Sequence, residues 1–339
     1  MRGCEMKNEI RNISIGWFRN TVGGGLTSFS FFLVLLLAVF ARSAFSRSNS
    51  INGYVKKEIL FLKWGSGDYE IGLKAINHGP TAMAVDKNEN IYITDPWNKR
   101  IQVFSIKGKL LKSEPLDAIG PPVDVDDDGD IFTTYSTDGN RTRKLLLIKK
   151  NGERIKGTQG FGTIRDNKLY DYHGKHFFSF DSSVGKFTNT KFNEPLFFKE
   201  DMEKSINENG GGNGFLIIKT EKIKNAIQKY GKTVSADSVK IPIVMKKHYW
   251  PDWRVLGFDN TGNVYFAIDY SRLGGDEHID PKIQIYSING NLEMEIPLDI
   301  DFCLGGWIDP DFLKVDALGN IYQLHNTESG VYVYKWSKD

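Results

Sequence analysis

The chain has 339 residues, with 44 Lys and Arg against 42 Asp and Glu and a formal charge of +2. Residues 1–44 hold five of the basic and two of the acidic side chains, which leaves 39 basic and 40 acidic beyond them, a near-neutral −1. A nucleic-acid binder carries a basic excess to match phosphate charge, so no nucleic-acid partner is expected.

The first element is Phe29–Ala41, "FSFFLVLLLAVFA", apolar apart from Ser30. It has the length of a signal-peptide apolar region and is short for a spanning helix. Arg11 and Arg19 precede it; cleavage after Ala41 or Ser43 fits, and so does an uncleaved anchor from Leu26 to Phe45. Residues 1–46 are expected to form a hydrophobic helix, as a signal peptide or an N-terminal membrane anchor. The remainder is then expected outside the cytoplasm: periplasmic, secreted or membrane-anchored. Of the two cysteines only Cys303 lies beyond this leader. A processed chain therefore forms no intramolecular disulfide, and no cysteine follows the apolar run to carry a lipid.

Next comes Ile59–Trp64, an apolar strand with no hairpin partner of its own. Then a unit begins that recurs. Val85-Asp-Lys-Asn-Glu-Asn-Ile-Tyr92 is echoed by Val125–Phe132, Phe258–Tyr265 and Val315–Tyr322. Each has an apolar residue, Asp, turn residues, Asn or Asp, and an aliphatic–aromatic pair. Asp-x-x-Gly between alternating runs marks a hairpin, with Gly for positive φ and Asp to accept backbone N–H bonds. A second half also recurs: Ile101–Gly108 matches Ile283–Gly290, and Leu146–Gly152 and Val331–Trp336 are weaker copies. The unit is strand, tight turn, strand, variable loop, strand, tight turn, strand.

The turn aspartates are Asp86, Asp126, Asp259 and Asp316. The first step is 40 residues, and the 133 between Asp126 and Asp259 are close to three steps of about 44. Two degenerate units belong in that gap, one at Asp166–Tyr170 and one at Asn209–Leu216; Glu221–Tyr230 is compatible with a short helix inserted in the second. The last step, 57, is lengthened by a loop expected over Asp269–Lys282. A four-stranded repeat of this period is a propeller blade. The expected fold is all-β: a six-bladed β-propeller of four-stranded antiparallel blades over residues 55–339, preceded by the hydrophobic helix. The last unit ends at its third strand, so Ile59–Lys63 is expected to pair with Val331–Lys335 and close the ring.

The first unit resembles an NHL repeat. Gly79-Pro80, Ala84-Val-Asp86, Asn90–Asp95, Asn98–Phe104 and Gly108 carry the likeness, and the Asp259 and Asp316 units match in their first halves. The resemblance implies the propeller. It implies no single function, because NHL-like propellers include scaffolds, RNA binders, carbohydrate-related proteins and a few lyases.

In this register the Asp-x-x-Gly and Asn-Gly turns share one face, and the variable loops and blade connections share the other. Variable loops carry function more often than uniform turns. Trp97, Trp250, Trp253 and Trp307 fall on the variable side, with Arg254 beside them and Asp252, Asp309 and Asp311 nearby. Aromatic rims stack on sugars or partner side chains, so Trp97, Trp250, Trp253, Arg254 and Trp307 are the candidate ligand-binding residues for a protein or glycan. The alternative is that the tryptophans wedge between blades. No nucleophile elbow, Cys/His arrangement, dinucleotide fingerprint or phosphate loop is present, and no catalytic residue is assigned.

No cofactor is expected. Calcium and zinc are the two ions for which the sequence offers ligands. Asp269, Asp276, Glu277, His278 and Asp280 offer oxygen ligands of the kind calcium takes, without a calcium-loop spacing. His78, His248 and His325 could approach the variable face from separate blades, as in zinc-dependent propeller lyases, but no spacing selects them. The favoured function is a non-enzymatic binding or scaffold module. The alternative is a metal-dependent propeller enzyme of the lyase or lactonase kind with its site in the central channel.

Overall fold

The computed structural model describes residues 49–51, 53–73, 79–116, 122–136, 143–159, 163–165, 168–170, 176–181, 186–191, 213–219, 238–244, 249–272, 278–299 and 310–338. The chain divides into two compact units, Met1–Arg47 and Ser48–Asp339. The expected leader helix, Trp307, His78, His248 and the Glu221–Tyr230 segment lie outside the described residues. Among those described, no helix is long and apolar enough to cross a membrane. Regular structure there is β, apart from one 3-10 turn at Pro310–Phe312.

Strands β1 (Asn49–Ile51), β2 (Tyr54–Trp64) and β3 (Glu70–Ile71) precede the repeats. The first sheet is a meander of β4 (Met83–Val85), β5 (Ile91–Asp95), β6 (Arg100–Phe104) and β7 (Leu110–Pro115). The second follows the same order with β8 (Val123–Val125), β9 (Ile131–Ser136), β10 (Arg143–Ile148) and β11 (Arg154–Gln159). The third uses β12 (Thr163–Arg165), β13 (Lys168–Tyr170), β14 (His176–Asp181) and β15 (Lys186–Lys191). In the fourth, β16 (Asn213–Lys219) pairs β17 (Ser238–Val244). The fifth is β18 (Tyr249–Phe258), β19 (Val264–Arg272), β20 (His278–Tyr286) and β21 (Leu292–Pro297). The sixth runs β22 (Leu313–Val315), β23 (Ile321–Thr327), β24 (Gly330–Lys338), and then back to β2 and β1. Four-stranded antiparallel blades of this kind make a β-propeller.

Apolar side chains fill the spaces between successive sheets. Ile101, Val103, Val123 and Leu146 lie between the first and second; Phe132, Leu147, Phe180 and Phe187 between the second and third. Ile241 meets Val255 and Phe266 between the fourth and fifth. Tyr265, Ile285, Ile321 and Trp336 join the fifth to the sixth. Leu62, Val331 and Val333 meet Ile91, Ile93 and Phe104 between the sixth and first. Strand alternation produces this: each strand offers side chains to both of its neighbours, so both faces of a blade are apolar.

The expected closure is present. Leu62 pairs with Val331, Phe61 with Tyr332 and Leu60 with Val333, with a register shift between Glu58 and Leu60. The sheet also takes Asn49–Ile51, which pair with Tyr54–Lys56, so it begins before residue 55.

The Asp269–Lys282 segment departs from expectation. It is largely hairpin, not loop: β19 runs to Arg272 and β20 starts at His278, with Tyr270 opposite Ile279 and Ser271 opposite His278. The pairing passes a register shift between Ile268 and Tyr270, with Asp280 at φ 55. Bulges admit such extra residues without ending a ladder. Beyond the shift, Tyr270 and Ile279 continue the apolar side of the hairpin, a signal the acidic composition conceals.

Candidate functional site

One face of the ring is made of turns that repeat nearly atom for atom. Asp86 Oδ1 accepts the N–H groups of Asn88 and Asn90, both at 2.8 Å, and Oδ2 accepts Asn90 Nδ2 at 2.8 Å and the Tyr92 hydroxyl at 3.2 Å. Asp316 does the same with Leu318, Asn320 and Tyr322. Asp259 accepts from Thr261, Asn263 and Tyr265. Burial works to raise the Asp259 carboxyl, but the bonds from Thr261 and Asn263 together outweigh it and hold it below its ordinary value. The second sheet substitutes chemistry. Asp130 and Phe132 stand where the others have Asn and Tyr, so neither side chain can donate to Asp126, although the Asp130 N–H still donates to its Oδ1 at 2.9 Å. Asp130 instead accepts Lys149 Nζ at 2.5 Å and the Lys150 N–H at 2.8 Å.

These turns also join blades. The buried Tyr265 hydroxyl meets that of Tyr54 at 3.0 Å, and Tyr54 donates to the Gly319 carbonyl at 2.9 Å. Burial and the Tyr54 contact push the Tyr265 phenol far above its usual range. A Cβ on Gly319 would come 2.2 Å from that hydroxyl, and its φ is +82, so both space and backbone demand glycine. The Asn260 N–H donates to Ala317 O at 2.7 Å, and Lys335 Nζ reaches Glu89 at 2.8 Å. The turn aspartates Asp86, Asp126, Asp259 and Asp316 are engaged within the ring.

The opposite face differs from blade to blade. In the first sheet Asp95, 0% exposed, accepts from Gly72 N at 3.0 Å, Asn98 Nδ2 at 2.7 Å and Arg100 Nε at 3.0 Å. Asn98 and Arg100 in turn donate to the carbonyls of Gly65, Gly67 and Glu70. The "DPWNKR" loop is thus knotted to the segment that enters the blade. Trp97 is part of the knot: a Cβ on Gly72 would lie 2.6 Å from Trp97 Cβ, and its indole nitrogen is buried.

Trp253 lies within β18, opposite Ile268. Its ring stacks on Phe266 at 5.7 Å and 25° and packs against the core between the fourth and fifth sheets. Arg254, the next residue, is exposed. Trp250 lies in β18 opposite Ser271. Trp97 and Trp253 therefore sit on different sheets with different packing partners. Among the described residues no three His, Cys, Asp or Glu side chains come together in a metal-holding group.

A second polar assembly lies at the junction of the fifth and sixth sheets. Lys56 ion-pairs with Asp299, just past β21, and its Nζ lies 3.9 Å from the Tyr334 ring centroid and 5.1 Å from that of Trp336. Gln323 Nε2 reaches Asp299 O at 3.4 Å. Burial, with Asp299 and Glu58 adding to it, pushes the Tyr334 phenol up to about 12. From the sequence, His325 is legible only as a candidate zinc ligand. The alternation of Gln323 and His325, opposite Tyr334 and Tyr332, was the signal for this assembly, once the β23–β24 pairing was known.

Fold and faces together define a β-propeller of four-stranded antiparallel blades. Residues 77–104 match the family model of the NHL repeat. No curated protein sequence matches it. Among solved structures it is similar to virginiamycin B lyase from Staphylococcus aureus, at 15% identity over 84% of this chain and 99% of that one, with a TM-score of 0.41. It is also similar to a protein of unknown function from Bacteroides thetaiotaomicron, at 11% identity over 84% and 76% of the two chains and TM-score 0.42. A luciferin-regenerating enzyme is similar at 13% identity over 84% and 88%, with TM-score 0.30. Identities and TM-scores this low transfer no activity, substrate or partner.

Proposed function

We propose that the protein is an exported or membrane-anchored six-bladed propeller acting as a non-enzymatic binding or scaffold module, with a protein or glycan ligand on its variable loop face. The count of six is supported by the six sheets in chain order and by the cores between five pairs of neighbours. The export reading rests on the apolar run Phe29–Ala41.

The observation that carries the binding reading is the contrast between the two faces. One repeats a single turn whose Asp side chains are taken up by internal donors. The other holds loops of unlike sequence on the same rigid frame, the arrangement in which loops carry recognition. The test is capture on an array of purified glycans and candidate proteins, run beside metal analysis of the same preparation. Saturable capture without a stoichiometric metal is expected. A stoichiometric metal with turnover of a lactone or cyclic ester would overturn it in favour of a metal-dependent enzyme.

A further inference from the structure

We propose that the outer wall of the first and second sheets docks on an anionic lipid bilayer. The inference stands apart from ligand capture by the variable loops. Strand β4 lies against β8 and β22, so the first strands of the sheets are innermost and the last, β7 and β11, face outward. Residues 105–115, 149–159 and 287–297 are three copies of one turn and the strand that follows it. Ser105 N donates to Lys109 O and Gly108 N to Ser105 O, and the same pair of bonds recurs at Lys149 and Glu153 and at Ser287 and Asn291. Their charges differ. The first copy has Lys107, Lys109 and Lys112 against Glu114, and the second has Lys149, Lys150, Arg154 and Lys156 against Glu153. Together these two carry seven basic and two acidic side chains, a net +5, whereas the fifth-sheet copy has Glu293 and Glu295 and no basic residue. The turn therefore does not require the lysines.

Internal pairs take up part of this charge. Lys149 is held by Asp130, and Glu114 lies between Lys112 and Arg154. Lys107, Lys109, Lys150 and Lys156 are exposed and enter no ion pair among the described residues. Asp127 and Asp128 are exposed beside Gly129, close to Lys150, so the excess is greatest on the first sheet. Apolar side chains stand among its lysines. Four large apolar residues are exposed among those described, and two of them meet here: Leu111, 50% exposed, and Tyr69, 53%, whose hydroxyl accepts the Leu110 N–H at 3.4 Å. Exposed apolar and aromatic side chains flanked by lysines suit a membrane surface. The leucine and the tyrosine ring enter the headgroup region, and each ammonium near lipid phosphate strengthens binding about fivefold. A nucleic acid would use the lysines and leave the leucine without a role, because contacts to phosphate and sugar are polar. The path of the chain also favours a bilayer. Gly108 lies beside Ile59 and Leu60 of β2, and β1, paired with β2, begins eight residues after the apolar run Phe29–Ala41 ends.

The test is amide hydrogen exchange of the full-length protein on nanodiscs of phosphatidylcholine alone and of phosphatidylcholine mixed with phosphatidylglycerol. Residues 109–113 should exchange several-fold more slowly on the mixed discs, and their acidic counterpart, residues 292–295, equally on both. High salt should remove the difference, since it screens exposed charges. The double variant Lys107→Gln, Lys109→Gln should also remove it while its unfolding midpoint holds, because both side chains are exposed. Equal exchange of residues 109–113 on the two discs overturns the proposal. So does a difference that persists in the folded double variant, or one that appears equally at residues 292–295. Slower exchange of residues 109–113 with a polyuridine RNA in place of lipid, and no difference between discs, would assign the wall to nucleic acid instead. Each of these failures leaves glycan or protein capture by the variable loops to be decided by its own array.

Discussion

Glu89 occupies the turn position held elsewhere by Gly129, Gly262 and Gly319, and it takes the same left-handed backbone, at φ 59. A side chain there costs roughly 1–2 kcal/mol relative to glycine. Glu89 offsets this by accepting Lys335 Nζ across the junction between the sixth and first sheets. Glu89→Ala keeps the strain and loses the ion pair, whereas Glu89→Gly loses the pair and the strain together. Urea denaturation should therefore rank Glu89→Ala about 1 kcal/mol below Glu89→Gly. Equal midpoints would show that the backbone is relaxed. His325 gives a pH effect. Burial holds its imidazole below the ordinary 6.5, Asp299 opposes the shift and Lys56 reinforces it. The folded pKa thus lies below the unfolded one. Above about 6.5 both states are neutral and the stability is fully present; below it the unfolded chain binds the proton first and stability falls. Between about pH 7 and pH 5 the native protein should lose more of its unfolding midpoint than His325→Gln does. Asp259, held low, loses its contribution only in the more acidic carboxylate range.

At the scale of the element, β2 is the strand on which ring closure depends. It lies between β24 and β1 and supplies Leu60 and Leu62 to one junction and Tyr54 to the next. A chain lacking residues 1–65 exposes the β24 edge and leaves the Tyr265 hydroxyl without Tyr54. Its urea midpoint should fall well below that of a chain beginning at residue 47, and coincident midpoints would refute closure by β2. This strand was legible in the sequence because Ile59–Trp64 had no hairpin partner while the last unit lacked a strand. The long hairpin of β19 and β20 was not, because its register shift breaks simple alternation. Nor was β18 legible through Tyr249–Trp253, which the sequence register places on the variable side of the blade; Pro251 lies within the strand. Proline is tolerated there because β18 is the first strand of its sheet and pairs only with β19. Trp253, a candidate rim residue, lies in that strand with its ring against Phe266.

For the whole molecule, the sequence period gave away the blade and the two faces, since turn chemistry repeats wherever the backbone must reverse in the same way. The interior between blades was not legible, because which strand faces pack together depends on pairings far apart in the chain, such as Lys56 with Trp336. The two faces now make separable predictions. Trp253→Ala removes a ring packed in the core and should cost about 3 kcal/mol, the low end for large aromatic residues because this ring is only partly buried. Arg254→Ala, at an exposed neighbour, should stay within about 0.5 kcal/mol of the native protein. If the loop face near β18 recognises the ligand, Arg254→Ala and Trp307→Ala should reduce capture on a purified glycan or protein array while their unfolding midpoints hold. Trp253→Ala should lose capture only in proportion to the folded fraction. Stable, fully binding Arg254→Ala and Trp307→Ala variants would remove this part of the loop face from recognition.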